Sequence, residues 1–367
     1  MMRIGILTFH NAINYGAVLQ CYALKEFLIQ RGHDVQVIDY RVPAIEEYKS
    51  LLSFSLLSKQ KGVLKKIAYF LLSLVLYRRK KKVVDVFDGF LKSKLNLTKR
   101  VRSANEMPTD YDYVFFGSDQ IWSPRICNGF DPILWGQFKK DKMKFVTYAA
   151  SIGELSFLSD EQWVYVQKHI VVFDFVSVRE NVVKEVLCEK TKRPIDCCID
   201  PTLIVDKNVL LSNVKRPTLD NYILLYNVTK DNKSIDFACR IAARLKCKVV
   251  FVEVKPNLHL KKKKGVIYKE GISPEEFLGY INYARLVVGN SFHLVALSIV
   301  METNFYSLDS YRPERVLNLL NQLGLSERHK KTSDVIGDIV DIDFSEVRPK
   351  LHLLKENSLS YIQKVGC

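Results

Sequence analysis

One histidine and two polar residues stand between two apolar runs in the stretch VVGNSFHLVALSIV, residues 287–300. The β-branched start of this stretch predicts a buried strand, and the spacing of its apolar end predicts a helix. Asn290 and Ser291 fall at the junction, so we expect Ser291 to be the helix N-cap and His293 to lie in the first turn. Free backbone N–H groups at a helix start favour an anion, and an imidazole titrates near neutral pH. His293 beside a bound phosphate could therefore act as a general acid or as a ligand.

His293 also fits a second interpretation, an ordinary packed histidine. It shares one helical face with Ala296, Leu297 and Val300 at the i, i+3, i+4 and i+7 spacing, which is typical of a helix that covers a core. The spacing by itself favours the packed residue, whereas the position in the first turn favours the ligand-binding residue. The sequence leaves both interpretations open.

Two arginines begin the next candidate helix, in the stretch YRPERVLNLLNQLGLSER. Arg312 and Arg315 lie at the start of a helix that we predict over 313–323. A cation at a helix start opposes the helix dipole, so local helix stability does not explain the pair. A guanidinium binds phosphate or carboxylate through two parallel hydrogen bonds, which favours an anion site. The alternative is a pair of solvated arginines.

Polar residues recur in the first half of the chain at the points where apolar strands end. They are His10, Asn11, Asn14 and Tyr15 after the first strand, Ser118, Asp119 and Gln120 after DYVFFG, and Arg179 and Glu180 after FVSV. Open α/β sheets bind ligands at the carboxyl ends of their strands, so these residues are candidates for one binding cleft. Asp119 could instead cap a following helix, and Glu180 could serve only as the ion-pair partner of Arg179.

The apolar pattern supplies strands and helices that could position these residues. Strands at 3–9 and 34–40 flank a helix that Gly32 is expected to end, which makes a β-α-β unit. The pattern restarts near residue 205, so we expect an α/β fold of two halves with a cleft between them. The predicted domains are 1–204, with a basic and apolar insertion around 50–105, then 205–335, and a tail over 336–367 that is helical and packs back on the first domain. The glycine fingerprint of nicotinamide dinucleotide sites, GxGxxG, is absent from the sequence.

The 367-residue chain has 55 Lys and Arg against 40 Asp and Glu, a formal charge of +15. This excess favours anionic partners such as nucleic acid, an anionic membrane or a phosphorylated small molecule. The lysines stand in short runs without a zinc-finger, helix-turn-helix or RNA-binding signature, so we do not expect nucleic acid. Eight cysteines without a CxxC pair or metal-ligand spacing predict free thiols and no metal site, and the absence of a signal peptide predicts a cytoplasmic protein.

The segment KKIAYFLLSLVLYRRKKK, residues 65–82, has mainly apolar residues over 67–77 between two groups of cations. As a helix, eleven residues rise about 16 Å, roughly half the hydrocarbon thickness of a bilayer, so the segment is too short to span one. One interpretation is a helix that lies on a membrane surface, with its cations against anionic head groups. The other is a buried helix that ends in a solvated basic run.

Five short stretches occur in the order seen in the polysaccharide pyruvyl transferase family. They are GSDQIW (117–122), SVRE (177–180), DPTL (200–203), SFH (291–293) and RPERVLNLLNQLGL (312–325). The opening ILTFHNAINYGAVLQCYAL is also similar to the N-terminal loop of that family, so the resemblance extends from residue 3 to about residue 328. It implies two Rossmann-like domains that face a central cleft, like those of the GT-B glycosyltransferases.

The resemblance also implies an activity and a donor. Members of the family are expected to transfer pyruvate from phosphoenolpyruvate to two hydroxyls of a sugar, which leaves a ketal on a surface polysaccharide or its lipid-linked precursor. No cofactor is implied besides the donor substrate. An arginine often stands two residues before the histidine of this family and helps to hold the donor. This chain has Ser291 there, which makes Arg179, Arg312 and Arg315 the candidates to replace it.

On this hypothesis His293 is the general acid and Asp119 the preferred base, with Glu180 as the second candidate. Asn290, Ser291 and the arginines would bind the donor. The acceptor would be bound by His10, Asn11, Asn14, Tyr15, Ser118, Gln120 and Glu180. If the acceptor is lipid-linked, residues 65–82 could form a peripheral contact with the inner face of the cytoplasmic membrane.

Two other functions fit the same sequence. One is a glycosyltransferase of the same architecture that uses a nucleotide-sugar as its donor. The other is a catalytically inactive relative of the family, which Ser291 suggests.

Overall fold

The computed structural model describes residues 1–49, 62–212, 214, 216–228, 231–254, 262–309 and 313–367. The described residues divide into two compact units, each built on parallel strands. The first unit draws on Met1–Lys59, Asp88–Val205 and Leu354–Cys367, and the second on Gln60–Phe87 and Asp206–Leu353. The predicted boundary after residue 204 lies next to the observed change of unit after 205. Residues 60–87 group with the second unit, however, and the tail joins the first unit only from residue 354.

Four parallel strands form the sheet of the first unit. They are β1 (Arg3–Leu7), β2 (Asp34–Val37), β3 (Tyr113–Phe116) and β4 (Lys144–Thr147). Their order is β2-β1-β3-β4, and Ile6 of β1 lies opposite Val37 of β2 and Phe115 of β3. The strands are apolar and largely buried on both faces, as expected of a parallel sheet covered by helices.

Isolated parallel bridges extend this sheet at both edges. Leu97 and Val101 pair with Val37 and Tyr40 beyond β2. Two short paired strands, β5 (Ser177–Val178) and β6 (Asp196–Cys197), lie beyond β4, to which a bridge between Val146 and Phe175 connects them. With residues 97–101 counted as a strand, the order begins 3-2-1-4-5-6, which is the order of doubly wound Rossmann folds.

Six helices lie entirely within the first unit among the described residues, and the side chains of Asn14, Ser159 and Asp200 cap the starts of three of them. The six helices are Tyr15–Gln30, Pro43–Lys49, Pro124–Cys127, Asp160–His169, Asn181–Thr191 and Pro201–Ile204. The Asn14 side chain accepts hydrogen bonds from the N–H groups of Gly16 and Ala17, at 2.9 and 3.4 Å. Gly32 follows the helix with a φ of +84°, which confirms the predicted end of the helix.

The end of the long helix Phe344–Val365 packs on the first unit. The Tyr361 hydroxyl donates to the backbone oxygen of Thr147 at 2.7 Å, and the Tyr113 hydroxyl donates to the backbone oxygen of Val365 at 3.0 Å. Both tyrosines are buried, so each hydrogen bond satisfies a polar group that water does not reach. Residues 354–367 therefore complete the packing of the first sheet.

Six parallel strands form the sheet of the second unit. They are β7 (Tyr222–Tyr226), β8 (Lys248–Glu253), β9 (Val266–Glu270), β10 (Leu286–Gly289), β11 (Phe305–Leu308) and β12 (His329–Lys330). Their order is β12-β11-β10-β7-β8-β9. Counted from β7 as the first strand, this is again the Rossmann order 3-2-1-4-5-6. The chain thus contains two Rossmann-like units in an α/β fold.

Within the described residues, five helices of the second unit lie before or between its strands. They are Lys207–Leu211, Asn232–Leu245, Pro274–Asn282, Phe292–Val300 and Glu314–Leu323. The helix Pro274–Asn282 begins with a capping box, because the Ser273 hydroxyl accepts from the N–H of Glu276 while the Glu276 side chain accepts from the N–H of Ser273. The helix predicted over 313–323 is confirmed, with its start at Glu314.

The basic and apolar segment lies in a single helix, Val63–Lys94, which is far longer than the predicted apolar stretch. Arg79 pairs with Glu270 at the end of β9, with its Nε 2.9 Å from Oε2, and this contact helps to hold the helix to the second unit. Leu71 and Val75 are 55% and 75% exposed, so the buried-helix interpretation is wrong. Among the described residues, no helix has the length and apolar character needed to cross a membrane.

Gly289 marks a close approach between two backbone segments in the second sheet. A Cβ atom built on Gly289 would collide with the backbone oxygen of Tyr226 on β7 and with the Leu294 side chain. We expect Gly289→Ala to lower the free energy of unfolding by about 2–3 kcal/mol, because the strand must move to relieve the overlap. Denaturant unfolding followed by circular dichroism measures this change.

The matched control is Gly89→Ala, since Gly89 lies within a helix and a Cβ there meets no atom within 4 Å. Alanine favours a helix over glycine, so this variant should unfold at the same or a slightly higher denaturant concentration. Equal midpoints for Gly289→Ala and the wild type would contradict the close approach of β7 and β10.

Candidate active-site residues

The carboxyl ends of four strands form one edge of the second sheet. Tyr226, Gly289, Ser307 and His329 lie side by side in register across β7, β10, β11 and β12. The helix Phe292–Val300 starts three residues after the end of β10, with Ser291 as its N-cap and His293 in its first turn, as predicted. The Ser291 side chain makes no capping hydrogen bond, so it does not occupy the N–H groups of that turn.

His293 is only 9% exposed, and its ring packs edge-on against the ring of Phe292, with the centroids 5.4 Å apart. The two interpretations of this histidine are therefore compatible with each other. The imidazole is packed, and it also lies at the positive end of a helix dipole beside the carboxyl edge of the sheet. That position is suited to an anionic ligand.

Asn290 directly precedes the N-cap of this helix, and Arg315 lies on a different helix of the same unit. The Asn290 side-chain oxygen accepts a hydrogen bond from the N–H of Val228 at 2.8 Å, which ties the turn after β7 to the turn after β10. Arg315 is half-buried in the first turn of the helix Glu314–Leu323. Arg312, the other predicted donor ligand of this unit, lies outside the described residues.

A further histidine at the same edge was missed by sequence reasoning. The Nε2 of His329 lies 2.9 Å from Oδ1 of Asp309, and its Nδ1 lies 3.4 Å from the hydroxyl of Ser307. Asp309 directly follows the apolar strand β11, as the other candidates follow their strands, so the sequence contained a signal for Asp309. His329 is part of a two-residue strand, which is too short to leave a pattern.

In the first unit, Arg179 is surrounded by three carboxylates. Its guanidinium lies 3.0 Å from Asp200, 3.3 Å from Glu180 and 3.8 Å from Asp119. Burial acts to lower the pKa of Arg179, but the charges of Glu180, Asp200 and Asp119 outweigh it and hold that pKa above its usual value. The cation is therefore already matched by acidic partners. This geometry favours a role in holding the carboxylates over a role in binding the anionic donor.

Asp119 and Glu180 follow the ends of β3 and β5, the strands on either side of β4. Asp119 has a φ of +76°, and Ala149, after the adjacent strand, has a φ of +47°. Side chains are rarely tolerated in this left-handed region, and such residues cluster at functional sites. The alternative that Asp119 caps the next helix is wrong, because Ser123 is the residue at the N-cap of Pro124–Cys127. The Ser151 hydroxyl donates to Oε1 of Glu180 at 3.1 Å.

The loop after β1 holds a second buried network. His10 is fully buried, with its Nε2 3.0 Å from Oδ1 of Asp39, and Arg41 binds both oxygens of that carboxylate at 2.7 and 3.0 Å. Burial acts to raise the pKa of Asp39, but hydrogen bonds from His10 and Arg41 outweigh it and hold that pKa well below its usual value. Asp39 and Arg41 were not among the sequence-based candidates.

The other candidates in this loop differ in how many of their polar groups make contacts within the fold. Asn14 caps the helix Tyr15–Gln30, and Tyr15 is fully buried within it. Asn11 is 4% exposed, and its side-chain oxygen accepts from Lys49 at 2.5 Å. Its Nδ2 has no hydrogen-bond partner among the residues that the structure describes. A buried amide in this state is a candidate donor to a ligand.

Ser118 and Gln120 are the remaining candidate residues of the first unit. Ser118 is fully buried and its hydroxyl lies 3.1 Å from the backbone oxygen of Ala149 and 3.2 Å from Oδ2 of Asp200. Gln120 is half-buried beside Asp119. In the described parts of the chain, no group of three or more His, Cys, Asp or Glu residues is arranged to hold a metal ion.

The lowered pKa of Asp39 predicts a pH-dependent contribution to stability. The ionised carboxylate stabilises the fold above its unfolded-state pKa of about 4, and this stabilisation is lost as the pH falls through the folded-state pKa. We expect Asp39→Asn to lower the free energy of unfolding by about 2 kcal/mol at pH 7, and the difference from the wild type to shrink below about pH 4. Denaturant unfolding across this pH range measures it.

Asp34→Asn is the matched control, since Asp34 is exposed and lies 3.9 Å from Arg3. It should change the free energy of unfolding by less than about 0.5 kcal/mol at pH 7. If Asp39→Asn also changed the free energy of unfolding by less than about 0.5 kcal/mol, the buried network would not stabilise the first unit.

Comparison with known proteins places the chain in a family. The model of the family "Polysaccharide pyruvyl transferase" matches residues 14–311 of the 367. No curated protein matches the chain significantly.

Similar solved structures include the glycosyltransferase SnogD from Streptomyces nogalater, with 11% identity, coverage of 100% of this chain and 99% of that one, and a TM-score of 0.48. They also include UDP-GlcNAc 2-epimerase from Methanocaldococcus jannaschii, with 13% identity, coverage of 96% and 93%, and a TM-score of 0.46. At these values the structures carry no information on substrate. The family match, by contrast, spans most of the chain and includes the larger part of both Rossmann-like units. The chain belongs to the polysaccharide pyruvyl transferase family.

Proposed function

We propose that the protein transfers pyruvate from phosphoenolpyruvate to two hydroxyls of one sugar, forming a ketal on a surface polysaccharide or its lipid-linked precursor. Membership of the polysaccharide pyruvyl transferase family supports a transferase with a sugar acceptor. The observation that carries the proposal further is the position of His293, an imidazole in the first turn of a helix at the carboxyl edge of the second sheet. This arrangement suits a small, doubly anionic donor.

The reaction needs one acid and one base, and its protons balance. A proton adds to C3 of the donor and converts the methylene to a methyl group, while a sugar hydroxyl attacks C2. The C2–O bond to phosphate then breaks, and the second hydroxyl closes the ketal on the same carbon. Two hydroxyl protons leave the sugar in total, and they replace the proton delivered to C3 and the one taken up by phosphate. No cofactor or metal takes part in this scheme.

The second unit would bind the donor and protonate it. In the proposal His293 is the general acid, either for C3 or for the departing phosphate. The N–H groups of the first helical turn are not capped by the Ser291 side chain, so they suit one anionic group of the donor. Arg315, with Arg312 as its neighbour in sequence, would supply bidentate contacts to the carboxylate or the phosphate.

The first unit would bind and deprotonate the acceptor. Asp119 remains the proposed base, and Glu180 is the second candidate because its Oε2 has no hydrogen-bond partner among the described residues. Arg179 is a positioning residue in this scheme, since it holds both carboxylates in place. The buried amide nitrogen of Asn11 would donate to a sugar hydroxyl. Asn14 and Tyr15 would shape the pocket through the helix that they begin.

Replacing His293 tests the acid role. We expect His293→Ala to reduce phosphate release from phosphoenolpyruvate, in the presence of a lipid-linked sugar acceptor, to about 1% of wild type or less. The substitution removes the proton donor, and general acids of this kind typically contribute about 10²–10⁴ in rate. More than about a tenth of wild-type activity would overturn the assignment.

His352→Ala is the matched control, since His352 is exposed on the helix Phe344–Val365. It should keep wild-type activity. The thermal midpoints of both variants are measured as well, so that a loss of activity in His293→Ala is not confused with a loss of folding.

Ligand-induced stabilisation separates the proposed donor from a nucleotide-sugar. A ligand at about one hundred times its Kd stabilises the folded state by roughly 2.7 kcal/mol, which raises Tm by a few degrees. We expect this shift with phosphoenolpyruvate and none with UDP-sugars. If Tm rises with a UDP-sugar and not with phosphoenolpyruvate, the result favours the glycosyltransferase alternative. The protein would then bind a nucleotide-sugar as its donor.

A further inference from the structure

The first half of the helix Val63–Lys94 turns an apolar face to solvent. This face comprises Val63, Leu64, Ile67, Leu71, Leu74 and Val75, which recur at three- and four-residue steps and are all exposed. Leu64 is 83% exposed and Val75 is 75% exposed. A helix on a protein surface normally turns its polar side outward, so this one has the opposite orientation.

The opposite face of the same helix is fixed to the second unit. Ser73, Val83 and Phe87 are buried, and they lie on one stripe with Tyr69 and Leu76. At the stripe's end, a Cβ atom on Gly271 would lie only 3.4 Å from the Val83 side chain. The ion pair of Arg79 with Glu270 and the hydrogen bond from Lys82 to the backbone oxygen of Glu270 add polar anchors. The helix therefore cannot rotate to bury its apolar face without losing these contacts.

Cations lie at both ends of this apolar face. Lys65 and Lys66 are exposed at its start, and Arg78, Lys81 and Lys82 are exposed at its end. The sequence contains no acidic residue between 62 and 82. Lys81 pairs with Asp85, but both side chains are exposed and such a pair contributes little. The partner of this surface must therefore be apolar at its centre and negatively charged around it.

We propose that this helix docks the protein on an anionic lipid surface. The apolar part, Val63–Tyr77, is about 21 Å long, which is shorter than the hydrocarbon core of a bilayer at about 30 Å. The helix lies along the membrane plane, with Leu64, Leu71 and Val75 among the acyl chains and the cations at the level of the lipid phosphates. This inference goes beyond the proposed reaction, because it rests on the surface of the helix and not on the active-site residues.

A second copy of this chain fits the surface less well. Antiparallel pairing of two such helices would bring the cations at the end of one copy against Lys65 and Lys66 at the start of the other, where no carboxylate is available. Parallel pairing would bring the two basic ends together, and like charges repel. Anionic lipid satisfies both the apolar and the charged part of the surface.

Co-sedimentation of the full chain with lipid vesicles tests the proposal. We expect binding to phosphatidylcholine vesicles that contain roughly 30% phosphatidylglycerol, at about 0.1 M salt, and much weaker binding to pure phosphatidylcholine or at about 0.5 M salt. The triple variant Lys65→Gln, Lys66→Gln, Arg78→Gln should lower the partition coefficient on the anionic vesicles by about a hundredfold, since each cation contributes about fivefold. The triple variant Leu64→Gln, Leu71→Gln, Val75→Gln should lower it at least about tenfold.

The matched control is Val164→Gln, Val182→Gln, Leu353→Gln, which changes equally exposed apolar residues elsewhere. It should bind as the wild type does. The proposal is overturned if the wild type stays in the supernatant, if it binds both kinds of vesicle equally, or if the control loses as much binding as the Leu64 variant. It is also overturned if the wild type is a dimer in solution that the Leu64 variant dissociates, which would assign the surface to a second copy. No substrate is present in this assay, so its outcome is separate from that of the proposed reaction.

Discussion

The position of His293 depends on how closely β10 approaches β7. At Gly289 the two backbones are so near that any side chain would strike the Tyr226 carbonyl. β10 ends at this residue, and the helix Phe292–Val300 begins three residues later. Asn290 then joins the turns after the two strands by its hydrogen bond to Val228. The imidazole therefore reaches the edge of the sheet in a position that the packing of two strands determines.

The electrostatics of the first unit are different, because three acidic side chains lie close together around Arg179. Asp119, Glu180 and Asp200 would repel one another without a cation, and Arg179 supplies it from the end of β5. One guanidinium against three carboxylates leaves an excess of negative charge. Such a cluster does not attract an anion with a carboxylate and a phosphate. Its carboxylates are instead suited to accept protons from neutral hydroxyls.

Local signals in the sequence predicted local structure well. The helix end at Gly32, the first-turn position of His293 and the helix over 313–323 depend on residues close together in sequence, and all three are confirmed. The strand ends also predicted where polar candidates would appear. The partners of Arg179 and Asp39 could not be predicted in the same way, because their contacts join residues that only the sheet brings together. For the helix Val63–Lys94, an apolar run predicts a face but does not show which side meets water.

The end of the chain has a consequence for the order in which the molecule forms. The first sheet is built from residues in the first half of the chain, yet Tyr361 and Val365 complete hydrogen bonds with Thr147 and Tyr113 on its strands. During synthesis, these strands therefore remain partly uncovered until more than two hundred further residues have been made. All strands of the second sheet, from Tyr222 to Lys330, are therefore synthesised before the residues that complete the first sheet. A nascent chain of this protein exposes sheet surface for longer than a domain of contiguous sequence does, so chaperones have more time to bind it.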